Sequence, residues 1–384
     1  MLKTCTLVTS ALIGCVISVT QAQPVPVAMS PDNFEPGAFR ATSSGDGVQF
    51  GEFLGRRAVY LPSGLLPVKA ARFRDGIVDA DVAGKPGGLF LGIAFRIESE
   101  ANMEVLYLRP QASDTIEAMQ YTPRLNGDAI WQLLNSDHEK ANAHIPQNQW
   151  IHIQLEVRGR TCKVFLNNSK VPTLEVTNLR RGDSEGGIAL WSLGGGGYFS
   201  NLSYSVFPPR DPMPDLPTYS RAGLLSNWEL SPAFDAGDIY ADQYPSISQW
   251  ERVNAEDPGF VLINRYRISP AMFPMPSRDK MRNGHVKGAK VVFARTYISS
   301  ESEEDKILKL GYSDEIVVYL NQKLIFSEKN ALSYRDDNAL GTFGLNDTIP
   351  IHLKPGKNEL LVAVTEYNGG WAFQCEFSSD DKPK

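Results

Sequence analysis

The chain has 384 residues, 42% hydrophobic and 21% charged, too many for one ordinary core and apolar enough to fold. Its 44 acidic residues outnumber 38 basic ones, for a formal net charge of −6, which argues against the basic face that nucleic-acid phosphates demand. With 32 glycines and 25 prolines, turns are expected rather than long helices.

The N-terminal segment "MLKTCTLVTSALIGCVISVTQAQ" carries one positive charge at Lys3, an apolar stretch from Leu7 to Val19, and small residues near Ala22. This is the layout of a secretory signal over residues 1–22, and the expected location is secreted or periplasmic. A rival reading rests on "LIGC" (Leu12 to Cys15), which is similar to the lipobox of bacterial lipoproteins, with Cys15 acylated. Apolar sequence runs on through Val16, Ile17 and Val19, which favours the soluble alternative. No second apolar run approaches the roughly 20 residues of a membrane span. Cys5 and Cys15 leave with the signal, and spacing leaves open whether Cys162 and Cys375 pair.

Strand-like runs follow at Gly76 to Val82, Leu89 to Ile97, Met103 to Leu108, Ile116 to Tyr121, Trp150 to Gly159 and Gly186 to Leu193. In "WIHIQLEVRG" the residues Ile151, Ile153, Leu155 and Val157 alternate with His152, Gln154, Glu156 and Arg158, so one face is expected in the core and one in water. "PPRDPMPDLP" (Pro208 to Pro217) holds five prolines in ten residues and predicts an extended linker at 208–218. Beyond it the strand habit returns at Lys290 to Ile298, Glu315 to Phe326 and Glu359 to Thr365. The stretches "KVFLNNSKVP" and "VVYLNQKLIF" each predict a hairpin entered through Leu-Asn, because Asn tolerates turn geometry. The expected fold is all-β, with two antiparallel β-sandwich (jelly-roll) domains at 32–207 and 219–377.

The first of these, in "VLYLRP", "QYTPRLNG", "KVFLNN" and "GGIALWSLGGGGYFSNLSYS", resembles the concanavalin A-like jelly rolls of the laminin-G and 3-keto-disaccharide hydrolase type. The second, in "YSDEIVVYLNQKLIF", "LKPGKNELLVAVTE" and "GGWAF", resembles the galactose-binding-like β-sandwiches attached to glycoside hydrolases. These are fold-making patterns, and fold does not settle function.

Catalytic motifs are sparse. Glucanases on the concanavalin-like fold carry Glu-x-Asp-x-x-Glu on one strand, and that spacing does not occur here. Asp79 and Asp81 share a face of "VDADVAG" without a matching glutamate, which reads as a solvated strand face. "RRGDSEGG" contains Gly-x-Ser-x-Gly around Ser184, but a strand follows where a nucleophile elbow needs a helix. His138 and His144 lie six apart, which excludes a helical zinc pair. No cofactor is expected, and a structural calcium ion in a lectin-like loop is left open.

A sugar surface combines an aromatic platform with hydrogen-bonding side chains. In "VLYLRP" the alternation puts Tyr107 and Arg109 on one face, and Gln120, Tyr121, Asn126 and Trp131 lie in the next segments, with the faces of Tyr121 and Trp131 undecided. In the second region Asp314, Asn321, Arg335, Asp336, Glu366 and Trp371 sit at turns and strand ends. Trp371, after a double glycine, is expected either at a sugar-binding rim or as a plug of the core. The leading functional expectation is an exported, non-catalytic binder of oligo- or polysaccharide. The alternatives are a sugar hydrolase of the resembled type and an adhesion protein that binds another protein.

Overall fold

In a computed structural model the described residues are 23–35, 47–214, 218–236, 243–269, 277, 279–280 and 286–378, so the expected signal segment lies outside them. Among the described residues four sheets carry the regular structure, and every pairing between their strands is antiparallel. The first runs in the order Leu174–Val176, Thr161–Leu166, Ile151–Arg158, Gly76–Gly84, Gly197–Val206, Arg56–Leu61 and Gln49–Phe53, with Val25–Pro26 joined to Gly197–Val206. The second has Asn102–Leu108, Phe90–Ser99, Gly187–Leu193 and Gly64–Pro67 as its body.

The expected alternation is what joins these two sheets. Ile151, Ile153, Leu155 and Val157 point inward beside Val78, Ala80 and Val82, and meet Leu91, Ile93, Phe95, Leu106, Leu108 and Ile188 of the second sheet in one apolar cluster. Each such fully buried aliphatic side chain contributes about 1.5 to 3 kcal/mol. A second sandwich forms downstream. Its sheets are Glu251–Asn254, Asn227–Leu230, Lys290–Ser300, Gly356–Glu366, Glu315–Leu320 and Lys323–Lys329 on one side, and Val261–Leu262, Ala372–Phe377, Glu304–Ser313 and Asp347–Leu353 on the other. Val292, Ile316, Val318, Val362 and Val364 meet Leu308, Leu310, Ile349, Phe373 and Cys375 between them.

Both expected hairpins form. In the second, Asn321 and Gln322 take positive φ values of 50° and 67° and make a two-residue turn that pairs Leu320 with Lys323. In the first, Asn167 and Asn168 do the same at 50° and 59°, and a longer loop returns to Leu174–Val176. Cys162 and Cys375 are free thiols buried in different cores, and burial pushes Cys162 up to about 12.

The sheets of each pair are drawn from separate stretches of chain, yet the upstream core takes in downstream side chains. Phe260, Leu262 and Ala372 of the downstream half belong to the upstream cluster. Gln132 pins the seam: its backbone N–H donates to Gly369 O at 2.9 Å, its side-chain amide donates to Leu340 O at 2.6 Å, and its carbonyl accepts from Phe343 N at 2.9 Å.

The described part of the proline-rich run, 208–214, has no regular structure and is tethered by side chains. Arg210 reaches back to Asp75 and Asp183, Met213 N–H donates to Asp183 at 2.9 Å, and Arg160 donates to Pro214 O at 2.9 Å. Prolines withhold backbone donors, so side-chain charges do the tethering. Replacing Arg210 by Ala is expected to speed proteolytic cutting within 208–214 several-fold while the melting temperature stays within a few degrees, read by timed digestion and mass spectrometry. Equal cutting rates in both proteins would refute the tether.

Candidate functional site

The outward face of the first sheet gathers the polar partners of the alternating strands. Antiparallel register sets His152 opposite Asp81 and Gln154 opposite Asp79. His152 Nδ1 lies 3.0 Å from Asp81 Oδ1 and its Nε2 lies 3.4 Å from Asp79 Oδ1, so the imidazole sits between two carboxylates. Gln154 donates to Asp79 at 2.8 Å, and Arg56 forms an ion pair with Asp81. Asn201, at φ 48° where the register of Gly197–Val206 against Gly76–Gly84 shifts, donates to Asp81 at 2.7 Å. That bulge re-aims the amide toward the carboxylate.

The Asp79 carboxylate first, and the Asp81 carboxylate with it, hold His152 above the ordinary imidazole value, against the opposing effect of burial. The ring is therefore a cation and a donor over a wider pH range than a free histidine.

Aromatic rings continue this face. Phe53 stacks on Tyr198 with centroids 3.7 Å apart, and Trp150 meets Phe53 edge-on at 5.8 Å. Tyr60 lies 5.2 Å from Tyr198, the Arg56 guanidinium sits 5.3 Å from the Trp150 ring, and Lys85 sits 4.9 Å from that of Tyr60. Of this set, sequence reasoning singled out Asp79 and Asp81, as a solvated face, and His152 and Gln154, as polar-face residues. The aromatic members come from strands distant in sequence, so no local spacing connects them.

The sequence-predicted residues lie elsewhere. Tyr107 and Arg109 do share a face, the outer side of the second sheet, where Tyr107 stacks on Trp191 at 5.5 Å and Arg109 covers Phe90 at 5.1 Å. Tyr107 is largely buried and donates to Gln120 Oε1 at 2.7 Å, while Gln120 donates to Trp131 O and Leu134 O. Arg109 pairs with Glu117. Tyr121 turns into the core and donates to Glu104 at 2.7 Å. Trp131 packs against Val286, Ala331, Leu332 and Tyr367 at the seam. Asn126 donates to Asn264 O at 2.7 Å.

In the downstream half Asn321 braces its turn by donating to Asn358 at 2.9 Å and accepting from Glu359 N at 3.0 Å. Arg335 bonds Tyr312 and Asp347, and Asp336 accepts from Asn338 N at 2.8 Å. Of the two positions open to Trp371 the structure has the core: it is 0% exposed, and its indole N–H donates to Val364 O at 3.0 Å. Its ring offers no platform to a sugar. These residues do not form one surface.

Asp314 and Glu366, each 1% exposed, meet Asp128 of the upstream half in a buried carboxyl cluster at the seam. Asp314 accepts from Tyr367 N at 2.6 Å and Asn368 N at 2.9 Å, and Glu366 accepts from Gly370 N at 3.2 Å. One oxygen each of Asp128 and Glu366 has no hydrogen-bond donor. Burial, and then the neighbouring carboxylates, push Asp314 to about 8 and Glu366 well above the usual carboxylate range. Among the described residues no group of three or more His, Cys, Asp and Glu is arranged to hold a metal ion.

The family described as the 3-keto-alpha-glucoside-1,2-lyase-like domain matches residues 45–204, which span all the residues of the first-sheet face. No curated protein matches the chain. Among solved structures, the carbohydrate-binding module CBM66 from Bacillus subtilis is similar at 13% identity, covering 48% of this chain and 97% of that one with a TM-score of 0.33. Domain 4 of AbnA, an extracellular arabinanase from Geobacillus stearothermophilus, is similar at 15% identity, covering 41% and 74% with a TM-score of 0.27. The galectin LEC-6 from Caenorhabditis elegans is similar at 11% identity, covering 38% and 94% with a TM-score of 0.26.

Two outcomes follow from this geometry. Trp371→Ala is expected to cost about 3 to 5 kcal/mol of stability in denaturant melts, the range for emptying a large aromatic site in a core. The carboxyl cluster carries a definite sign. Its folded-state pKa values lie above the ordinary value of about 4, so the folded chain keeps protons that the unfolded chain releases. Its contribution is then fully present below about pH 4 and is lost as pH rises through about 8. Glu366→Gln should flatten that decline in urea melts from pH 4 to 9, and an unchanged slope would sink the account.

Proposed function

We propose that the protein binds saccharide, and that its site is the outward face of the first sheet around Trp150, Phe53, Tyr198, His152, Asp79 and Asp81. The observation that supports this most is the continuity of two chemistries on one rigid surface. Phe53, Tyr198 and Trp150 supply apolar area for the faces of pyranose rings. Arg56, Asn201, Gln154, His152 and the two carboxylates supply donors and acceptors matched to hydroxyl groups. The position of the family match, which covers this face, agrees with the reading. Export of the chain and its engagement of polymeric glycan belong to the same proposal.

A second reading has its own support in His152. A 1,2-elimination on a 3-keto-glucoside needs a base to take the proton from C2, next to the ketone, and an acid to protonate the departing oxygen at C1. The C2–H and C1–O bonds break and a C1–C2 double bond forms. A carboxylate of the Asp79 and Asp81 pair fits the acceptor role, and protonated His152 fits the donor role.

Titration calorimetry with a panel of neutral oligosaccharides tests the first reading, and incubation with a 3-keto-glucoside, followed for an unsaturated product, tests the second. Trp150→Ala is expected to weaken saccharide binding by about tenfold, or roughly 1.4 kcal/mol, with the fold retained. Absence of binding to every saccharide would end the first reading. Turnover lost in His152→Gln with binding kept would establish the second.

A further inference from the structure

A cleft of about 650 Å³ opens at the seam between the two sheet pairs, within the range of about 300 to 1,000 Å³ common for small-ligand sites. Four arginines line it. Arg160 follows strand Ile151–Arg158, Arg180 and Arg181 come from the loop before Gly187–Leu193, and Arg265 ends the short 3-10 turn Ile263–Arg265 of the downstream half.

The acids around the cleft are already engaged. Asp183 is held by Arg74, Arg210 and the Met213 N–H, and Glu256 is held by Arg265. Arg180 lies 3.6 Å from Glu139 and 3.8 Å from Glu256. Arg181 pairs with Glu98, whose side chain is 68% exposed, so water weakens that attraction. Among the described residues Arg160 meets no carboxylate, and its side chain donates to Pro214 O at 2.9 Å. Among the described residues Arg160 Nε, Arg180 Nε and Ser184 Oγ have no partner, and Arg180 itself is 3% exposed. What the cleft leaves unpaired is therefore donors and positive charge. A neutral hydroxyl satisfies such donors only partly, whereas a planar anion takes the guanidinium fork with two charge-assisted hydrogen bonds.

We propose that this cleft binds the anionic group of a charged sugar unit, a carboxylate or a sulfate, and that Arg160 is its principal contact. The proposal rests on the saccharide reading and extends it to acidic glycans. Arg160 lies in the turn that closes strand Ile151–Arg158, whose rise from His152 to Arg158 is about 20 Å. One polymer can thus touch both the sheet face and the cleft, and the second contact then forms at raised effective concentration.

The test titrates the full chain without residues 1–22 against three oligosaccharides of equal length, one neutral, one uronate-bearing and one sulfated, at low and high salt. At least one acidic ligand is expected to bind about tenfold more tightly than the neutral one at low salt, with the gain shrinking as salt screens it. Arg160→Gln should abolish that gain without changing neutral binding or the melting temperature, and Arg160→Lys should keep part of it. Comparison of the uronate and sulfate arms identifies the group. Acidic ligands bound no better than neutral ones, or a preference that survives Arg160→Gln, would overturn the proposal. In either case intact neutral binding that Trp150→Ala weakens would leave the sheet-face reading standing, and loss of all saccharide binding would remove both.

Discussion

Strands Gly76–Gly84 and Ile151–Arg158 lie side by side in a register that sets Asp81 against His152, Asp79 against Gln154 and Ala80 against Ile153. Side chains alternate along a strand, so a slip of one residue would carry the carboxylates into the core and Val78, Ala80 and Val82 into water. The apolar cost of that slip holds the polar face in place. The carboxylate, imidazole and amide groups of the outer face thus borrow their rigidity from the aliphatic side chains directly beneath them.

The seam between the halves is built on different physics. Gln132 is fully buried and spends its backbone and side-chain groups on carbonyls and an N–H of the other half. Asn264 works in the opposite direction, accepting from Trp371 N at 2.6 Å while its own carbonyl accepts from Asn126. Such directional bonds fix orientation more than they add stability, because each is exchanged for a bond to water on unfolding. Burial raises the pKa of each carboxyl in the trio beside them, which lessens the accumulation of like charge at the seam.

Local pattern made much of the architecture readable and little of the site. The alternation in Ile151–Arg158 and the Leu-Asn entries to both hairpins depend on neighbours within a few residues, and those expectations match the sheets. The pairing of Asp79 and Asp81 with His152 depends on which strands become neighbours across some 70 residues, which periodicity cannot report. Trp150 and Trp371 show the difference. Both stand next to strands, but one lies on a half-exposed aromatic face and the other fills a core, and only the third dimension separates them. Glu366 was legible as the end of its strand, whereas its burial follows from the approach of Asp128 from the other half. Arg160 gives no signal, since an isolated arginine near a turn is an ordinary surface residue, and Arg180 stands in "RRGDSEGG", whose legible pattern is the one around Ser184.

The downstream side chains seated in the upstream core limit how this architecture can be taken apart. Phe260, Leu262 and Ala372 fill space in the upstream cluster, although Leu262 and Ala372 lie in strands of the downstream sandwich and Phe260 just before one. An upstream half produced alone would present an apolar hollow to solvent where those three side chains rest, and a downstream half would present them as a protruding knob. Shuffling either half onto an unrelated neighbour, as is done with beads on a flexible string, would leave both hollow and knob without a match. The unit of engineering is accordingly the pair.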